Sequence, residues 1–190
     1  MERNIAQIAL FAAMIAALGL VPQITLGFGV PITAQTLGVM LAGAVLGAKR
    51  GAAAAGLMML LVALGLPLLA GGRGGLGVFT SPTVGFALGW PVAAFVTGLF
   101  VERVSLRSAG LSAFVGAVLG CIVVLYIMGA TGLAFVTGRS LTEAFRLVMV
   151  FIPGDLLKAG IAGMLVQALS RVRPGALAWH RPSATGGARL

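Results

Sequence analysis

The sequence predicts an all-α membrane protein, a six-transmembrane-helix bundle with its N and C termini in the cytoplasm. Three observations predict it. Hydrophobic residues make up 59% of the 190, and 29 further positions are glycine, well above the share in soluble domains. Charged residues are only 9%, against about a quarter in an ordinary globular chain, so water-facing polar groups cannot cover the surface. The 13 Lys and Arg punctuate apolar runs without forming a basic face. That pattern orients spans in a bilayer and argues against nucleic acid as a partner.

A span needs about 20 apolar residues. Asn4–Ala48 carries no charge, is too long for one helix, and is interrupted by Pro22, Gly27, Gly29 and Pro31. A first span is placed at Ile5–Val21 and, after an outer loop, a short second at Thr36–Ala48. The start of that second helix must be buried in protein, or the loop before it must dip into the bundle, because bare backbone is not tolerated in lipid. One Arg ahead of the first run and no clear cleavage site favour a retained span over a removed leader. The third span is placed at Gly51–Ala70, the fourth at Val84–Val101 and the fifth at Ala109–Met128.

The sixth is placed at Leu147–Leu169, with Pro153 and Gly154 inside it. Ser140, Leu141, Thr142 and Glu143 read as a capping box, so a helix starts there and kinks or restarts at Pro153. Asp155, just after Pro-Gly, suits the N-cap of a second helical piece. Residues 1–170 thus form the six-span domain, and residues 171–190 a basic cytoplasmic tail, expected to be disordered from Pro174 onward.

Charge orients the bundle. Arg3, Lys49, Arg50, Arg103, Arg107, Arg171, Arg173, Arg181 and Arg189 fall on the side of the termini; Arg73, Arg139 and Arg146 fall on the other. The excess marks the cytoplasmic side. Small residues recur every four positions: Ala9, Ala13 and Ala17 beside Ala12 and Ala16, then Gly43, Gly47 and Gly51, Gly85 and Gly89, and Gly116 and Gly120. Such rows let helix backbones approach closely. Two adjacent rows make the first helix wide enough on its small side to face another protein as well.

Several chemistries are excluded. Cys121 is the lone cysteine and His180, the lone histidine, lies in the tail, so the apolar body has no triad histidine and no metal cluster; no metal or cofactor is expected. The chain has no phosphate loop of the G-x-x-x-x-G-K-[ST] type and does not hydrolyse ATP by itself. No catalytic residue is assigned. Asp155 and Lys158 are the ionisable groups sunk in a span, three residues apart and so on one helix face. They form either a structural salt bridge or the polar end of a ligand pocket.

Two outer loops add candidates. Thr33, Gln35 and Thr36 place hydroxyls and a carboxamide in an apolar setting, as caps of the second helix or as ligand contacts. Gly71, Gly72, Arg73, Gly74 and Gly75 form a flexible backbone around one guanidinium fork, suited to a carboxylate. Phe79, Phe86, Trp90, Tyr126 and Phe151 anchor at the interface, fill the bundle or flank a flat bicyclic ligand.

Pro31-Ile32-Thr33-Ala34-Gln35-Thr36-Leu37, followed by Leu41-Ala42-Gly43-Ala44-Val45-Leu46-Gly47 with Lys49 and Gly51, resembles the signature of the BioY family of biotin transporters. So do Gly65-Leu66-Pro67, Ala70 to Gly75, Pro82-Thr83 with Gly85, and Phe151-Ile152-Pro153-Gly154-Asp155-Leu156-Leu157-Lys158. The family's Gly-Pro-Thr-Gly-Gly-Tyr reads Ser81-Pro82-Thr83-Val84-Gly85-Phe86 here, and Leu69 stands where phenylalanine is frequent.

The resemblance implies the substrate-binding S component of an energy-coupling factor (ECF) transporter in a prokaryotic cell (inner) membrane. Its partners would be biotin, a transmembrane coupling subunit and two cytoplasmic ATPases; self-association stays open. Ala9, Ala13 and Ala17 match the small-residue motif that docks on the coupling subunit, and Asp155 and Lys158 match the ligand-contacting pair. Substrate contacts are thus expected from Asp155, Lys158, Arg73, Gln35, Thr33, Gly74, Phe79 and Phe86. Arg73 is assigned the ligand carboxylate, with Lys158 as the alternative. The nearer alternative function is an S component for thiamine or riboflavin. The farther one is a small intramembrane enzyme, with Asp155 as base and Arg73 and Lys158 holding an anionic group; the body lacks an activated nucleophile for it.

Overall fold

The computed structural model describes residues 2–179, and its regular elements are all helical. α1, Glu2–Ala17, ends in a 3-10 turn at Leu18–Leu20. α2 is Gln35–Leu46, α3 Ala48–Ala63 and α4 Val84–Arg103. α5, Ala109–Thr137, is π-helical in its middle, Val118–Val124. α6, Leu141–Val172, tightens to 3-10 at Met149–Phe151. Four of these (α1 with its turn, α4, α5 and α6) are long and apolar enough to cross a membrane. Their outward side chains, among them Leu10, Phe95, Leu119, Phe135, Leu157 and Met164, are exposed apolar groups of the kind that face hydrocarbon.

α2 sits at the centre. With 12 residues it is short, but Gln35, Gly38, Val39, Met40 and Ala42–Leu46 are buried, wrapped by α1, α3, α4 and α6. A helix shielded by protein on all sides need not match the bilayer by itself, and its buried start agrees with the sequence expectation. The glycine rows of α2 and α4 are interior. A Cβ on Gly43 would lie 2.4 Å from the carbonyl oxygen of Ala94, and one on Gly85 2.1 Å from that of Met128, so only hydrogen fits. On α1 the two alanine rows part: Ala12 is buried, whereas Ala9, Ala13 and Ala17 point outward.

Several boundaries differ from expectation. The third helix starts at Ala48, not Gly51. Gly47 breaks α2 at φ 80°, and the Glu102 carboxylate accepts the freed N–H of Ala48 at 2.9 Å. It stops at Ala63 and not at Ala70, because Gly65 (φ 103°) and Pro67 turn the chain away. The fifth helix runs past Met128 to Thr137, where Gly138 closes it at φ 68°.

Ser140 does cap α6, accepting the N–H of Glu143 at 3.2 Å, while the Glu143 carboxylate turns to Arg139. Pro153 falls in the first turn after the 3-10 segment, where a missing N–H costs nothing. Asp155 is therefore not an N-cap; its carboxylate points into the bundle.

The tail is also different at its beginning. Instead of disorder from Pro174, a 3-10 turn at Pro174–Ala176 brings Leu177 to 2% exposure. The N–H of Ala178 donates to the carbonyl of Val45 (3.0 Å), and Trp179 Nε1 to that of Ala44 (2.7 Å). These bonds satisfy carbonyls left open at the end of α2. Residues 180–190, with His180, lie outside the described residues.

Candidate functional site

Two loops and four helices enclose a cavity of about 610 Å³, its mouth included. Ahead of α2, Ile24 and Ile32 pair through two hydrogen bonds (3.1 and 2.9 Å), and the small hairpin lays Val30, Pro31, Ile32 and Thr33 along the cavity. Ahead of α4, Leu69 and Arg73 pair in the same way (3.0 and 3.2 Å) across Gly71 and Gly72, which take φ 77° and 70°. A β-carbon disfavours that conformation, so the glycines make a tight, hydrogen-bonded turn in place of the expected floppy loop. The turn sets Arg73 in the cavity wall.

α6 contributes the ion pair. Asp155 is 5% exposed. Its Oδ1 accepts from Lys158 Nζ at 2.8 Å and from Thr36 Oγ1 at 3.2 Å, and its Oδ2 accepts from Tyr126 Oη at 2.7 Å. Lys158 Nζ also donates to Thr36 Oγ1 at 2.9 Å. The acid and the ammonium clasp each other, and both line the cavity beside them. Lone charges at this depth would be costly; paired and hydrogen-bonded they are tolerated and available to a ligand.

Arg73 has no such compensation. Its fork reaches only the carbonyl of Ala70 and the hydroxyl of Thr83, both at 3.4 Å, and among the described residues it pairs with no carboxylate. Burial draws its guanidinium below the usual value. The cavity thus holds one acid and two cations and suits a ligand with one negative charge. Apolar walls come from Val30, Leu69, Leu125, Phe86, Trp90 and Phe151. Phe151 lies edge-on to Phe86 (centroids 6.0 Å) and Tyr126 (6.4 Å), which fixes the rings.

Of the residues expected here, Asp155, Lys158, Arg73, Thr33, Gln35 and Phe86 line the cavity. Gly74 does not: it packs on the backbone of Leu66, where a Cβ would sit 2.2 Å from the carbonyl oxygen. Phe79 does not either, and packs on the main hydrophobic core. Gln35 reaches the wall, but both its N–H donors and its amide oxygen are engaged by backbone. The link from Tyr126 to Asp155 is the contact that sequence reasoning misses. A signal for it exists, since Tyr126 is the one tyrosine of the chain and a phenol in an apolar helix needs an acceptor.

The same arrangement of helices occurs in known proteins. A family model described as the BioY family matches residues 2–175. The biotin transporter BioY of Rhodobacter capsulatus is 53% identical over 186 residues, covering 93% of this chain and 98% of that protein. The biotin transporter BioY of Rhizobium etli is 56% identical over 173 residues, covering 88% and 92%. Among solved structures, the S-component for biotin from an ECF-type ABC transporter aligns with a TM-score of 0.83 at 32% identity, covering 89% of this chain and 91% of that one.

Proposed function

The chain belongs to the BioY family, and from that premise we propose that it captures biotin and takes it across the cell membrane as the S component of an ECF transporter. The family is one of transporters, and the chain is not an enzyme. One observation carries the choice of ligand: a hydrogen-bonded Asp–Lys pair and an uncompensated Arg73 share one apolar cavity.

Biotin meets each part. An ionised carboxylate offers about four acceptor sites, of which Lys158, Thr36 and Tyr126 fill three. One ureido N–H takes the fourth, while the other points away on the far side of the ring carbonyl. Lys158 has a third N–H for the ureido carbonyl. The thiolane ring and aliphatic chain rest on Phe86, Trp90 and Phe151, and the valerate meets the Arg73 fork. Lys158 is already neutralised by Asp155, which favours Arg73 for the carboxylate.

The protein crosses a prokaryotic inner membrane six times with cytoplasmic termini, a topology supported by the nine-to-three distribution of basic residues. With no phosphate loop in the chain, uptake against a gradient draws on ATPases bound through a transmembrane coupling subunit. The outward row Ala9, Ala13 and Ala17 on α1 is the docking face.

Calorimetry of the detergent-solubilised chain with biotin, thiamine and riboflavin tests the ligand. Tight binding of biotin alone is expected, and a preference for either other vitamin would replace the proposal. ATP-dependent accumulation of biotin by the lone chain in vesicles would remove the partner half of it.

A further inference from the structure

We propose that Gln35 is a positioning residue: it holds the turn that carries Arg73, and through that turn it sets the preference for a ligand ending in a carboxylate. The inference rests on the assignment of the valerate to Arg73. Gln35 is 1% exposed at the first position of α2. Its Nε2 donates to the carbonyl of Leu68 at 3.0 Å and to that of Ile15 at 3.1 Å. Its Oε1 accepts the N–H of Ala70 at 3.0 Å. Leu68 and Ala70 flank Leu69, the residue whose backbone pairs with Arg73, and the Ala70 carbonyl is also one of the two groups that Arg73 itself touches. One side chain therefore grips the arm of the turn on both sides of the pairing point.

The chemistry is particular to an amide. Two donors and an acceptor are needed on one short side chain; Glu lacks the donors, and Leu lacks all three. Backbone groups left open in a buried place cost enough to drive the segment to find other partners, and Arg73 would move with it. The third bond ties the same node to the end of α1, against which it is closely packed. A Cβ on Gly19 would lie 2.7 Å from the carbonyl oxygen of Leu68 and 2.9 Å from Gln35 Nε2. Gln35 thus joins α1, α2 and the Arg73 turn, with both of its N–H donors spent on the fold.

The test compares biotin with its neutral carboxamide, biotinamide, by calorimetry on the full chain in detergent. Wild type is expected to prefer biotin, and Arg73→Ala to lose that preference. Gln35→Leu is expected to cut the preference about tenfold or more, while biotinamide affinity changes little; in the Arg73→Ala background it should cut nothing further, because the two act as one unit. A Gln35→Leu protein that keeps the wild-type preference, or weakens both ligands equally, overturns the inference alone. A wild type that does not discriminate overturns the assignment of Arg73 and this inference with it. Should Gln35→Leu fail to fold, Gly19→Ala presses on the same amide from α1: it is expected to cut the preference in the same way, and an unchanged preference or an equal loss for both ligands overturns the inference.

Discussion

The phenol of Tyr126 donates to Oδ2 of Asp155 at 2.7 Å and leaves Oδ1 to Lys158 and Thr36. An acid on α6 is thereby oriented by α5 and by the start of α2. The π-helical stretch Val118–Val124 ends two residues before Tyr126, and its wider turn rotates the helix beyond it, which governs where the phenol lies. That carboxylate, the Lys158 ammonium, the Arg73 guanidinium, the Gln35 amide and the hydroxyls of Thr33, Thr36 and Thr83 then form the polar part of a cavity whose other walls are apolar.

Tyr126→Phe removes that bond and little else, since the ring still packs on Phe151. Hydrogen bonds to a charged group contribute about 1.5–3 kcal/mol, so biotin affinity is expected to fall by roughly tenfold to a hundredfold. Calorimetry measures the loss, and a thermal melt checks that the fold is kept. Unchanged affinity would mean that Lys158 and Thr36 orient the acid unaided.

Asp155→Asn keeps the shape but swaps an acceptor for a donor facing Tyr126, Thr36 and Lys158. It also leaves the Lys158 ammonium without its counter-charge. Biotin binding is expected to weaken more than a hundredfold, beyond the effect of Tyr126→Phe, because the ligand loses its acceptor as well. The same titration decides it, and a smaller loss than that of Tyr126→Phe would remove Asp155 from the ligand contacts.

How much of this site is legible in the sequence depends on how far each signal reaches along the chain. Asp155, Lys158 and Arg73 stand out because a charge set among apolar and glycine residues is costly unless a partner or a ligand meets it, and all three line the cavity. The central α2 is visible as a run too short to span, with its start in need of cover. Tyr126 signals a need for an acceptor but not which one, because its partner lies 29 residues away on another helix. Gly74 and Phe79 share their motifs with true lining residues, and only packing separates them: one is pressed on Leu66, the other turned into the core. Helix ends depart from expectation where tertiary bonds replace local caps, as with Glu102 on Ala48. The tail departs because Leu177 and Trp179 find an apolar seat that its polar neighbours hide.

Ala13 faces outward on α1, away from the cavity-lining residues. Ala13→Leu is expected to leave biotin affinity in detergent within about twofold of wild type, since no cavity contact changes. A bulkier side chain there should prevent close approach of a partner helix and lower ATP-dependent uptake by the reconstituted complex at least tenfold, equivalent to about 1.4 kcal/mol or more of lost docking. Normal uptake would move the docking face elsewhere on the bundle.

Trp179 and Ala178 hold the far end of α2, through Ala44 and Val45, while Gln35 and Thr36 at its near end meet the cavity. Nine helical steps separate Gln35 from Ala44, roughly 13.5 Å at 1.5 Å per residue, so the two ends are coupled only through a stiff rod. Trp179→Phe keeps an aromatic ring and deletes the bond to Ala44, and is expected to lower stability by about 1 kcal/mol. Trp179→Ala also strips apolar contact from the end of α2 and should cost about 3 kcal/mol. Neither should move biotin affinity by more than about twofold, because the backbone near the cavity keeps its own bonds through Gln35. Thermal melts and calorimetry on the same preparations separate the two readouts. An unchanged melting temperature for Trp179→Ala would show that the end of α2 stands without its cap, and a fall in affinity matching the fall in stability would show that the seat of the tail and the cavity are one cooperative unit.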